Sequence, residues 1–200
     1  MSRRIKKKTL EFFEKQYKDE PSWVIGTVQP SLLEEMDKIK ITGRSIDIGC
    51  GVGECVNYLS SIGYESHGVD ISLTAIAKAI TAANKQNLSV FFHNIGAFSL
   101  IELGLQFNLL VDCGLMHIMS DDERRDYTHQ LNKISFSGAS LIIIGFDTNL
   151  LSNKPRGFKP QSLIPLFEEN WDVETVRRIN YCAAKKQDDA PGWLMQFRRH

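Results

Sequence analysis

Little in this sequence points to a charged partner, a membrane or a metal. Lysine plus arginine and aspartate plus glutamate number 24 each, so the formal net charge is zero. A nucleic-acid or anionic-membrane binder usually carries a surplus of basic charge, and none is present overall. No uninterrupted apolar run approaches the length of a membrane span, and no apolar segment follows the basic start in the manner of a secretory signal. The expected setting is cytoplasmic. The four cysteines, Cys50, Cys55, Cys113 and Cys182, form no C-x-x-C pair, which favours reduced thiols over a disulfide frame or zinc site. His67, His93, His129 and His200 show no partners at ligand spacing, and no metal is expected. Internal repeats and low-complexity segments are missing too. With 200 residues, 42% of them hydrophobic, a single domain with a full core is the default.

What is present is concentrated between Ser45 and Ser72, SIDIGCGVGECVNYLSSIGYESHGVDIS. Ile46 and Ile48 belong to a short β-branched run that stops at Gly49, Gly51 and Gly53, as a strand ending in a tight turn does. Cys55, Val56, Leu59 and Ile62 follow at helical spacing, Gly63 stands where a helix ends, and a second short strand closes at Asp70. Strand, glycine turn, helix and strand make a unit suited to a nucleotide-like ligand. Bare backbone permits close approach, the next helix's first amides attract partial negative charge, and a carboxylate after the second strand can accept from both ribose hydroxyls.

A dinucleotide fold wants G-x-G-x-x-G. Counting from Gly49 and Gly51 puts the third glycine on Glu54, and counting from Gly51 and Gly53 puts it on Val56. Both registers fail, so the G-x-G-x-G pattern argues for a ligand without a pyrophosphate. Here the chain resembles the class I S-adenosylmethionine-dependent methyltransferases, whose first motif is similar to Asp47-Ile48-Gly49-Cys50-Gly51-Val52-Gly53, with Asp70 as the ribose acid.

The rest of the chain is read in order. Arg3, Arg4, Lys6, Lys7 and Lys8 form a basic run, read as a solvated end in preference to an RNA contact or targeting signal. An amphipathic helix with Leu10, Phe12, Phe13 and Tyr17 spans about residues 9–18, and another about 31–38. After the Ser72 cap, a helix to about residue 84 is expected to bury Leu73, Ile76, Ala77 and Ile80. Strands are expected at 89–93, 107–112, 139–146, 172–179 and 193–198, with a Ser120/Glu123 capping box opening the helix before the third of these. The run at 107–112 is almost wholly apolar, as suits a central strand. Trp193, Met195 and Phe197 alternate as in a strand with one buried face, and the last two strands read as a hairpin. Residues 149–159 form a polar loop over the active face.

The resemblance supplies further expectations. The tyrosine, proline-tryptophan and isoleucine-glycine series before residue 27 is similar to the N-terminal lid of the thiopurine and tellurite-resistance methyltransferase group, as is the turn Asp112-Cys113-Gly114-Leu115-Met116-His117, D-x-G-x-x-H. It implies an α/β Rossmann-like fold: a seven-stranded, mostly parallel sheet with helices on both faces and an antiparallel C-terminal strand. A basic tail and helical lid over 1–40 would precede a cofactor-binding domain over 41–200. S-adenosylmethionine would be held by Tyr17, Trp23, Asp47, Gly49, Cys50, Gly51, Gly53, Asp70, Ile71, Asn94, Ile95, Asp112, Cys113, Gly114 and His117. Val24 follows the tryptophan where the group often has aspartate, and Asn94 stands where an acid usually meets the adenine amino group. Trp23 reads equally well as a hydrophobic plug.

Methyl transfer from a sulfonium asks mainly for alignment and dryness, worth about 7–11 kcal/mol of barrier. A soft nucleophile would need no base. For a hydroxyl or amine, His117 is the candidate base, with Asp112 and Asp147 secondary, although a histidine at a helix start also serves by bonding backbone. The expected acceptor is a small molecule. The alternatives are RNA or protein methylation and a cofactor-binding protein without catalysis.

Overall fold

The computed structural model describes residues 7–39, 43–147, 157–182 and 189–200. Most of the basic run, and most of the expected loop at 149–159, lie outside the described residues or their described side chains. Helices α1 (Lys7–Lys18) and α2 (Pro30–Met36) lead into β1 (Arg44–Ile48), α3 (Glu54–Ser61), β2 (Glu65–Val69), α4 (Leu73–Lys85) and β3 (Val90–His93). Then come β4 (Phe107–Cys113), α5 (Asp121–Ile134), β5 (Ser135–Phe146), α6 (Pro160–Leu163), β6 (Trp171–Tyr181) and β7 (Ala190–Arg199). The seven strands form one sheet in the order β3-β2-β1-β4-β5-β7-β6. β7 alone is inverted, running antiparallel to β5 on one side and β6 on the other.

The order reverses between β1 and β4, which pair in parallel through Ser45–Leu109 and Asp47–Val111. At such a switch point the carboxyl ends of adjacent strands part and leave a crevice. The glycine turn after β1 and the turn after β4 therefore face one another.

Alternation along the central strands sorts the core into two layers. Leu110, Leu141, Ile143, Met195 and Phe197 join one apolar cluster with Tyr127, Leu131 and Trp171. Leu109, Val111, Ile142, Ile144 and Leu194 join the opposite one with Leu32 and Leu59. β7 thus has apolar residues buried on both faces, which corrects the expectation of one. The cause is its place between β5 and β6, where helices cover the sheet on either side.

Two further expectations are corrected. β5 begins at Ser135, directly from α5, and runs through Gly138 with a register shift opposite Phe107 and Leu109. α4 buries Ala75, Ile76, Ala79 and Ala83, whereas Leu73 is 62% and Ile80 43% exposed and Ala77 faces solvent. Close packing explains the choice of face. A Cβ at Gly53 would stand 3.0 Å from the Ala79 Cβ, so only small side chains fit where α4 crosses the glycine turn. The capping box is present, with the Ser120 N–H donating to Glu123 Oε2 at 2.9 Å.

Candidate functional site

The turn after β1 is an elbow pinned to the neighbouring strand. The amides of Gly49 and Cys50 donate to the Val69 carbonyl at 2.8 and 3.0 Å. The Gly51 N–H donates to Asp70 Oδ2 at 3.0 Å and the Ser72 N–H to Asp70 Oδ1 at 2.8 Å. Asp70 is thereby fixed beside the elbow, and burial pushes its carboxyl above the usual carboxylate range. The glycines do different work. Gly51 has φ +54°, and a Cβ there would lie 2.8 Å from the Tyr17 hydroxyl. Gly53, at φ +84°, begins α3, and a Cβ there would meet Phe92 at 2.9 Å. The first faces Tyr17 of α1; the second lets α3 pack against α4 and β3.

Asp47, on the preceding strand, is 3% exposed and its Oδ1 has no hydrogen-bond partner. Burial first, then the carboxyls of Asp112, Asp70 and Glu54, push its pKa up to about 8. Glu54 rises to about 7 and Asp112 to about 6, each chiefly through burial. Among the described residues no lysine or arginine forms an ion pair with these acids. A buried, acid-rich, cation-poor wall suits a ligand that brings positive charge.

The turn after β4 reaches the elbow through Leu115, whose Cβ would be 3.3 Å from a Cβ at Gly49. Asp112 ends in this turn but is wholly buried. Its carboxylate accepts the amides of Leu115 at 2.8 Å and Met116 at 3.1 Å. It shapes the turn and presents no oxygen to a crevice. His117 is buried, with its ring 4.8 Å from Phe146 and 6.1 Å from Tyr181. The Tyr181 hydroxyl lies 2.5 Å, and His117 Cε1 3.2 Å, from where a Gly114 Cβ would be, so these rings close over bare backbone. The buried Arg124 binds the Met116 carbonyl at 3.3 Å and the Gly157 carbonyl at 2.8 Å, while the Gly157 N–H donates to the His117 carbonyl at 2.9 Å. The described end of the 149–159 segment is thus tied to the histidine's own backbone.

Helix α1 and the segment after it come from the other side. Tyr17 is 4% exposed, its hydroxyl accepts from Trp23 Nε1 at 3.1 Å, and Phe13 lies 6.3 Å from the Trp23 ring. Elbow, Asp70, Tyr17 and Trp23 are therefore brought together. Asn94 is exposed nearby and donates through Nδ2 to the carbonyls of Asp70 and Ile71 at 3.0 and 2.9 Å. Ile95 packs against the core, and the Cys113 thiol meets the Tyr181 hydroxyl at 3.8 Å. Cys50 points its thiol into the packing around Val56 and Ile76, and burial pushes that thiol up. Asp147 pairs with Arg178 at 2.5 Å, on the β6 side of His117.

Several residues at the site escaped the sequence reading. Glu54 and Tyr181 carried no local motif. Glu14, bonded to the start of α4, had one signal: it precedes Tyr17 by three positions and so shares its helix face. The sequence also showed no partner for His67 and His93, yet their ring nitrogens lie 3.1 Å apart. Parallel pairing of β2 with the edge strand β3 brings them together, and the His93 carbonyl accepts the Asp70 N–H at 3.2 Å.

The fold is Rossmann-like, and the elbow beside Asp70 suits a nucleoside-like ligand without a pyrophosphate. Comparison with known proteins agrees. The family described as "Methyltransferase domain" matches residues 46–135. The 2-heptyl-1-hydroxyquinolin-4(1H)-one methyltransferase of Mycobacteroides abscessus is 27% identical over 178 residues, 83% of this chain and 78% of that protein. An uncharacterised methyltransferase of Schizosaccharomyces pombe is 32% identical over 111 residues, 55% of this chain and 77% of the other. A solved structure from work on the conversion of a disulfide bond into a thioacetal group during echinomycin biosynthesis superposes with a TM-score of 0.84. It is 26% identical and covers 95% of this chain and 92% of its own. The chain belongs to the class I S-adenosylmethionine-dependent methyltransferases, and its cofactor is S-adenosylmethionine.

Proposed function

We propose that this methyltransferase acts on a small-molecule acceptor held between the elbow and the aromatic wall of His117, Phe146 and Tyr181. That wall is the observation that carries the reading: three rings within 4.5–6.1 Å of one another, beside the turn that touches Gly49. A flat organic molecule suits such a surface better than a polymer does. The activity named for the Mycobacteroides relative, on a hydroxyquinolinone, supports the same class. Among the described residues no helix is long and apolar enough to cross a membrane, and no cluster of three potential ligands stands ready for a metal.

In this reading the bare backbone of Gly49, Cys50 and Gly51 receives the amino-acid end of the cofactor, and Asp47 and Glu54 supply the charge that balances it. Asp70 takes the ribose hydroxyls. Asn94 and Ile95 meet the adenine edge, with the Asn94 amide oxygen as acceptor because Nδ2 is already donating. Tyr17 and Trp23 close the seat and exclude water. When bound, the cofactor supplies a methyl carbon on a sulfonium sulfur, which leaves as a neutral thioether. His117, whose ring lies beside the bare backbone of Gly114, takes the proton from a hydroxyl or amine acceptor. Asp112 positions the turn that carries it.

The test is methyl transfer to a panel of hydroxylated heteroaromatics, phenols and thiols, with unaltered protein and His117→Ala. Turnover of a ring hydroxyl that falls at least 100-fold in the variant, against a thiol rate within threefold, is the expected result. Silence across the whole panel, with S-adenosylhomocysteine binding intact, defeats the small-molecule assignment.

A further inference from the structure

Helix α1 does more than lie over the elbow. Glu14 accepts the Leu73 N–H at 2.6 Å and the Thr74 N–H at 3.5 Å through Oε1, and the Thr74 hydroxyl at 2.5 Å through Oε2. Those are the first two amides of α4. The third, on Ala75, goes to the Ser72 hydroxyl at 3.1 Å, and the fourth, on Ile76, to the Ser72 carbonyl at 3.1 Å. A helix's first amides have no partner within the helix, and an anion is favoured there. In this protein a carboxylate from a different helix completes the cap. The Thr74 hydrogen bond holds the Glu14 carboxyl below its usual range, consistent with an ionised group at this position. A second tie lies four residues into the same contact, where Lys78 Nζ donates to the Asp19 carbonyl at 2.8 Å.

The location matters. Tyr17, one turn beyond Glu14 on the same face, packs on Gly51. Gly51 and Ser72 are the two residues whose amides hold Asp70. Helix α1 therefore touches both shoulders of the ribose acid, through Tyr17 at the elbow and through Glu14 just past the Ser72 cap. Opening the lid must break the Glu14 bonds and return two amides of α4 to water.

We propose that Glu14 is a positioning residue of the methyl-transfer reaction, a latch that holds the lid helix shut over the adenosyl seat and sets how long the cofactor and its product stay bound. This rests on the reading that the elbow and Asp70 form that seat, and the experiment separates the two claims. Dissociation of S-adenosylhomocysteine is followed by stopped-flow displacement for the unaltered protein, Glu14→Ala, Glu14→Gln and Glu14→Asp, together with amide hydrogen exchange at Leu73 and Thr74. Expected in Glu14→Ala are dissociation at least tenfold faster, association within threefold, and faster exchange at those two amides with β1, β4 and β5 unchanged. Glu14→Gln falls between, and Glu14→Asp restores part of the residence time. A lower melting temperature with dissociation within twofold of the unaltered protein makes Glu14 merely structural and overturns the latch. Should Glu14→Ala fail to fold, Glu14→Gln and Thr74→Val carry the same test, with dissociation at least threefold faster expected and no change refuting it. Failure of the unaltered protein to bind the product overturns seat and latch together.

Discussion

Replacing Gly51 with alanine adds one methyl group at the point where the lid meets the elbow, and its effect can be worked out term by term. The backbone there sits at φ +54°, where a Cβ costs about 1–2 kcal/mol. The new carbon would lie 2.8 Å from the Tyr17 hydroxyl, so the ring must move and the Trp23–Tyr17 hydrogen bond, worth about 1 kcal/mol, is lost. The sum of about 2–3 kcal/mol corresponds to a melting temperature about 4–12 °C lower for a chain of this size. Gly53→Ala makes a revealing partner. Its backbone strain at φ +84° is similar, but its methyl group meets Phe92 and Ala79, which adds an overpacking cost of about 1–3 kcal/mol inside the fold. The two variants should therefore rank oppositely in two assays. By differential scanning fluorimetry Gly53→Ala loses more stability. By isothermal titration with S-adenosylhomocysteine Gly51→Ala loses more affinity, tenfold or more, or about 1.4 kcal/mol, against threefold or less for Gly53→Ala. Equal affinity losses in both variants, or the reverse order, refute the division of labour between the glycines.

Asp70→Ala should abolish the rise in melting temperature that S-adenosylhomocysteine gives the unaltered protein, read in the same fluorimetric assay; a retained shift removes Asp70 from the seat. Asp112→Ala leaves the buried amides of Leu115 and Met116 without their acceptor and should lower stability by about 1–3 kcal/mol in urea denaturation. A change below about 0.5 kcal/mol contradicts its structural role. Asp47, Glu54 and Asp112 hold protons to about pH 8, 7 and 6 in the folded chain, against ordinary values of 3.8, 4.5 and 3.8. The folded state thus binds more protons than the unfolded one across that window, so the stability of the ligand-free protein should fall as pH rises from about 4 to 8. Asp47→Asn should flatten the upper part of this decline in melting scans at stepped pH, and an unchanged slope refutes the assignment to Asp47.

The parts of the fold that were legible in the sequence are those set by local pattern. The apolar run of β4 suits a strand covered on both faces, which it is, and the failed dinucleotide register at Glu54 and Val56 pointed to the right class of ligand. What stayed hidden depended on how elements meet. The helix wheel of α4 allowed Leu73 and Ile80 to face inward, and only the close crossing at Gly53 selects the alanine face. Asp112 reads as a reactive acid at a strand end, yet the turn curls back and spends both oxygens on its own amides. His67 and His93 stand 26 residues apart and meet only because β2 and β3 pair with His67 opposite Phe91. Glu14 reaches α4 across 59 residues, a distance no periodicity spans.

The raised acids around the elbow pose a physical question of their own. Burying several ionised carboxylates without cations would oppose folding, since each loses hydration and repels its neighbours. Keeping a proton on Asp47 up to about pH 8 relieves that conflict in the ligand-free chain. A ligand that brings a positive charge reverses the balance, because an ionised Asp47 is then paired. Binding should accordingly release protons near neutral pH, and weaken as pH falls. The arrangement also bears on catalysis. Attraction for a cation that is equally strong before and during methyl transfer tightens binding without lowering the barrier, whereas attraction centred on the sulfonium would fade as its charge leaves and would oppose the reaction. Acids gathered on β1 and the start of α3 are thus better used to anchor the permanent ammonium end of the ligand than to face the sulfur. In the proposed seat, alignment of the methyl carbon then falls to helix α1 and to the turn after β4, whose residues carry little charge of their own.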